Sequence, residues 1–135
     1  PIELNSIIEA SSGEILIKMH SGITIETEGW LQKIVEFFDI APQNIGIIGP
    51  KQLYSEGLIF SCGDWIIHPK GYHHIGYRMP KNMFTQPIEC DVVSDAFLIF
   101  KRKVFEEIDG FDPKLKGNCQ VNHLVMDLLC VAHRA

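Results

Sequence analysis

The residues of this chain best equipped for chemistry crowd between His68 and Arg78, where His68, His73 and His74 are interleaved with Tyr72, Tyr77 and Arg78. An aromatic face beside imidazole, phenol and guanidinium edges suits a carbohydrate, whose ring can stack while its hydroxyls exchange hydrogen bonds. Adjacent His73 and His74 cannot both enter one site if the backbone is extended, because successive side chains of a strand point to opposite faces. His68 with one of that pair could instead offer two nitrogens to a metal. The plainer alternative is a mobile surface loop. Residues 69–87 are rich in Gly, Pro, His, Tyr and Lys without a clear period, and loops of that length in compact domains are functional or mobile.

Other reactive types are scattered. Asp91 and Asp95 sit at the near end of an apolar run, and the thiols Cys62, Cys90, Cys119 and Cys130 lack any C-x-x-C spacing. That spacing argues against a zinc cluster. Cys90 and Cys130 lie among apolar neighbours and read as buried, reduced thiols.

Several elements must position these groups. Leu4, Ile7 and Ile8 recur at helical spacing, which predicts the end of a helix closed by Gly13. Residues 15–19 form an apolar strand entered through a Ser-Ser-Gly turn. Thr27 is placed to cap a helix over residues 27–38 whose apolar face is Trp30, Leu31, Ile34, Val35, Phe37 and Phe38, and Pro42 ends it. Residues 45–50 predict a short buried strand with glycines where backbones approach closely. Leu58-Ile59-Phe60 and Trp65-Ile66-Ile67 predict edge or hairpin strands. The nearly unbroken apolar run 92–100 predicts a central strand buried on both faces. A short helix over 101–108, stopped by Gly110, follows it. From about residue 118 a last helix carries Val121, Leu124, Val125, Leu128, Leu129 and Ala132 on one stripe. Strands mixed with helices give an α/β domain.

The whole is of ordinary composition: 135 residues, 46% hydrophobic and 21% charged, with 12 basic against 17 acidic residues for a net charge of −5. This size can close one core. With no run of Lys or Arg, a nucleic-acid or anionic-membrane surface is not expected. No apolar window is long enough to span a bilayer and no signal peptide is visible, so a cytoplasmic location is expected.

Certain residues recur in a telling order. Asn5, Ala10 and Gly13-Glu14 precede the strand 15–19, His20-Ser21-Gly22 follows it, and Gly29-Trp30-Leu31 opens the next helix. Ile47-Ile48-Gly49-Pro50-Lys51-Gln52-Leu53-Tyr54 comes next with Gly57, and Ser94 to Asp112 closes on Gly110-Phe111-Asp112. This succession resembles the acceptor-side, C-terminal part of nucleotide-sugar glycosyltransferases of the family-two, GT-A type. It covers nearly the whole chain.

The resemblance implies an α/β fold with a mixed sheet flanked by helices, a partial GT-A-like arrangement. It also implies a single glycosyltransferase-like domain over residues 1–135, a fragment of a longer one without the donor-binding half. The family transfers a sugar from a nucleotide-sugar to a glycan acceptor, commonly with a divalent cation, manganese or magnesium, that offsets charge on the leaving diphosphate. Family carboxylates for that ion fall at the end of strand 15–19, where this chain has His20, Ser21 and Gly22. A hydroxyl and a glycine backbone are poor substitutes for them. His20 suits a softer metal, or is simply a strand-end histidine facing solvent.

The acidic pair that supplies the general base falls on Leu124 and Val125, just before Asp127-Leu128. Asp95, which stands where the family has a small residue, Asp112 and Asp127 remain as catalytic candidates. Tyr72, His73, His74, Tyr77 and Arg78 are candidates for binding the acceptor. No metal ligands are assigned, and no cofactor is expected for this chain unless a cation site is intact. Two readings follow: the acceptor side of a glycosyltransferase, inactive as an isolated chain, or a non-catalytic glycosyltransferase-like module that binds a glycan or a protein. A glycan or nucleotide-sugar is the expected small partner, and a second copy or the missing domain the expected macromolecular one.

Overall fold

The computed structural model of the protein describes residues 2–112. The helix expected from residue 118, with Asp127, Leu124, Val125, Cys119 and Cys130, lies outside the described residues. Among the described residues three helices, α1 (Ile2–Ala10), α2 (Trp30–Ile40) and α3 (Arg102–Glu107), accompany seven short strands. The strands are β1 (Ile15–Met19), β2 (Ile47–Ile48), β3 (Gln52–Leu53), β4 (Ile59–Ser61), β5 (Asp64–Ile67), β6 (Gly71–His74) and β7 (Phe97–Lys101). They form a three-stranded sheet in the order β1-β7-β2 and two hairpins, β3-β4 and β5-β6. Every described pair is antiparallel, so the expected mixed sheet is corrected to small antiparallel ones.

Strand β7 is central, as its apolar run requires. Period-2 alternation sends Phe97 and Ile99 to one face, against Phe38, Trp30, Ile34 and Phe37 of α2. Leu98 and Phe100 go to the other, with Ile8 of α1, Leu16 of β1, Val104 and Phe105 of α3, and Phe111. Both faces are thus covered, and Leu98, Ile99 and Phe100 are at most 2% exposed. The strand is shorter than the 92–100 run. Val92 and Val93 are buried but lie outside it, and Ser94 Oγ accepts from the Ala96 N–H at 3.2 Å. That local side-chain bond replaces a ladder bond and delays the strand to Phe97.

The helices also begin and end where backbone geometry dictates. α2 starts after Gly29, which is left-handed at φ 64 and makes no side-chain cap, so the expected Thr27 cap is corrected. Its last turn reaches Ile40, and Ala41 is extended at ψ 151 because the following Pro42 disfavours the helical region there. α3 is stopped by two successive left-handed residues, Asp109 and Gly110. Phe111 then enters the core, held by Asn5: the Asn5 Nδ2 donates to the Phe111 carbonyl at 2.8 Å and the Phe111 N–H to Asn5 Oδ1 at 3.0 Å. The close glycine contacts expected near residue 47 are real. A Cβ on Gly49 would stand 2.9 Å from Val93 Cβ, inside van der Waals contact.

Residues 69–87 are not a structureless loop. β6 lies within them and pairs with β5, with Asp64 opposite His74, Trp65 opposite His73, Ile66 opposite Tyr72 and Ile67 opposite Gly71. The histidines and glycines conceal a strand because they lack the β-branched or aromatic period that propensity recognises.

Candidate functional site

The β5-β6 pairing decides which side chains can act together. Cross-strand partners share a face, so Asp64, His74, Ile66 and Tyr72 lie on one side and Trp65 and His73 on the other. Strand β4 brings Phe60 against the first side, its ring centroid 4.7 Å from that of His74. The turn after β6 adds Tyr77, 6.0 Å from His74. Phe60, Tyr72, His74 and Tyr77 wall an open hollow of about 310 Å³, which His73 also borders although it belongs to the opposite face of β6.

Behind His74, outside the lining of the hollow, lies a buried polar group. Asp64 is only 7% exposed, and its Oδ1 lies 2.5 Å from His74 Nδ1. The Ser61 hydroxyl, itself buried, is 3.1 Å from the same oxygen and 2.9 Å from the Gly63 carbonyl. Backbone bonds fix the pair on both sides. The Asp64 N–H donates to the Val92 carbonyl, the Cys62 N–H to Ile75, and the Ile75 N–H to Gly63. Sequence reasoning named His74 but missed Asp64 ten residues earlier. Its only signal is that an acidic residue opens an otherwise apolar strand.

Beside the hollow lies a second aromatic group. Arg78, left-handed at φ 61, lays its guanidinium 4.8 Å from the Tyr54 ring centroid and 5.8 Å from that of Tyr77, and pairs with Glu56 at 3.4 Å. Hydrogen bonding between the two phenols lowers the pKa of Tyr77 and raises that of Tyr54, and the Arg78 charge lowers Tyr77 further. Four of the five residues expected to bind an acceptor therefore wall one hollow, and the fifth, Arg78, stacks at its edge.

The other candidates form a separate place. At the end of β1, the Asp95 carboxylate meets Lys18 Nζ at 3.1 Å and His20 Nε2 at 3.5 Å, although they are far apart in sequence. Ser21 and Gly22 follow in an exposed turn. Asp112 is exposed beyond Phe111. The divalent cation implied by the family resemblance does not fit these residues. Among the described residues the carboxylate in reach, Asp95, already accepts an ammonium, which would repel the ion, whereas magnesium or manganese asks for several oxygens in an octahedron. Among the described residues no group of three or more His, Cys, Asp or Glu is placed to share a metal.

A larger cavity of about 620 Å³ lies elsewhere, between β2, Phe37 and residues 84–90, with Cys62, Cys90 and Val93 in its wall. It is a weaker candidate for chemistry. Its lysine, Lys51, is engaged with the carbonyls of Lys81 and Met83 at 2.7 and 3.1 Å, and burial pushes both thiols up, away from the reactive thiolate.

Comparison with known proteins gives a distant likeness. The chain is 25% identical over 120 residues to the O-antigen biosynthesis protein RfbC of Myxococcus xanthus, a match covering 83% of this chain and 9% of that protein. No family matches the chain, and no solved structure does. Among the described residues no helix is long and apolar enough to cross a membrane.

Proposed function

We propose that this chain is the acceptor-facing portion of a glycosyltransferase-like protein of polysaccharide biosynthesis, and that its own contribution is to seat a glycan. The observation that carries this reading is the hollow walled by Phe60, Tyr72, His74 and Tyr77, aromatic faces with polar edges as a sugar ring requires. The likeness to a protein named for O-antigen biosynthesis supports the same class of role. The end of β1 supports a passive part in donor chemistry, because Lys18 occupies the carboxylate that a cation would need.

Calorimetric titration tests the reading. Neutral oligosaccharides of bacterial surface polysaccharide are expected to bind without added metal, while nucleoside diphosphates with manganese give no heat. Micromolar, manganese-dependent nucleotide binding would overturn the passive part and favour a complete transferase site.

A further inference from the structure

The geometry points to Asp64 and His74 as a fixed hydrogen-bond-accepting dyad for a ligand hydroxyl in the hollow, an inference that rests on the carbohydrate reading above. A carboxylate accepts only, so the Nδ1 that lies 2.5 Å from Asp64 must carry the hydrogen. In the neutral ring that leaves Nε2 with its lone pair. Nδ1 is taken by a buried carboxylate while the side chain remains 38% exposed in the wall of the hollow, so Nε2 is the ring nitrogen left for a ligand. None of the hydrogen bonds formed by the described residues uses it.

Rigidity distinguishes this arrangement from a surface histidine that happens to meet an acid. Asp64 is held by the Ser61 hydroxyl and by its backbone bridge to Val92. The His74 ring is packed against Phe60 and flanked by Tyr77. Orientation and tautomer are therefore set before a ligand arrives, as a carboxylate partner sets them for a histidine in catalytic and metal sites. Tyr72 shares the face of His74 at the i−2 position and offers a flat apolar surface beside it. A pyranose stacked on an aromatic ring of the hollow can offer a hydroxyl to Nε2, so the ligand is a neutral ring with a donating hydroxyl. A ligand presenting only acceptors would be refused.

Imidazole ¹⁵N spectra of the labelled chain at pH 8 test this with methyl glycosides of mannose, galactose, rhamnose and N-acetylglucosamine as probes. The expected result is a protonated Nδ1 and a bare Nε2 in His74, with the Nε2 resonance moving as a glycoside is added. Asp64→Asn is expected to weaken binding about tenfold, the scale of one well-placed hydrogen bond, while Glu36→Gln on α2 leaves it unchanged. Should Asp64→Asn fail to fold, the spectra of the unaltered chain decide alone. A protonated Nε2, or glycoside binding that leaves the His74 resonances unmoved, overturns the dyad and leaves the carbohydrate reading standing. Absence of binding by every glycoside at millimolar concentration overturns the dyad, and absence of oligosaccharide binding as well overturns both.

Discussion

Tyr77 and Tyr54 are chemically alike and made different by two neighbours. The hydrogen bond between them favours ionised Tyr77 and neutral Tyr54, and the guanidinium of Arg78 adds to the first effect. On raising the pH, Tyr77 is therefore expected to ionise first, as a phenolate step in ultraviolet absorbance that disappears in Tyr77→Phe. A single step in which all three tyrosines titrate at the ordinary value would refute this. The sign of the linked stability follows. The folded chain loses the Tyr77 proton before the unfolded chain does, so this group adds stability as pH rises through its folded pKa. Tyr54, raised, acts with the opposite sign and offsets it. Tyr72, His74, Tyr77 and Arg78 were legible in the sequence as one local group, but the participation of Tyr54, Phe60 and Asp64 was not, because each joins it from another strand or turn.

Helix α3 and the chain between α1 and β1 are joined through one side chain. Arg102 donates from Nε to the Gly13 carbonyl at 2.7 Å, from one terminal nitrogen to the Ile8 carbonyl at 3.2 Å, and from the other to Ser11 Oγ at 2.6 Å. These acceptors are the last turn of α1 and the chain after it. Replacing Arg102 by Ala is expected to cost about 2 kcal/mol in denaturant unfolding, near the value of charge-assisted hydrogen bonds. Arg102→Lys should cost nearly as much, since one ammonium cannot reproduce the planar fork. A loss in Arg102→Lys under about 0.3 kcal/mol, no larger than an ordinary surface substitution gives, would show that charge alone suffices. At this scale, helix and strand existence followed from periodicity in α2 and β7. β6 did not, because its Gly-Tyr-His-His sequence carries no apolar alternation, and only pairing with β5 makes it a strand.

The whole molecule is organised about β7, whose alternate residues belong to two separate cores. Ile99 packs on the α2 side and Phe100 on the side of α1, α3 and Phe111, so truncations at these neighbouring positions share few partners. Ile99→Val is expected to cost about 1 kcal/mol, and Phe100→Leu a comparable amount. The double variant should lose their sum to within about 0.5 kcal/mol, as independent sites do. A coupling well above that, measured by urea unfolding, would mean that the two cores act as one.

From its sequence alone the protein was bound to place the apolar run 92–100 at its centre, with an amphipathic helix over it and glycines where backbones meet. Burial of hydrocarbon and the two periodicities are properties of a local stretch of chain. The same sequence could not say that Asp64 would meet His74, that Lys18 would claim Asp95, or that the sheets would be antiparallel. Those outcomes depend on strand register and partner choice between distant segments. A shift of one residue in the β5-β6 pairing would turn His74 to the opposite face and bring His73 to Asp64 instead, so the tertiary structure alone decided which histidine was given a carboxylate.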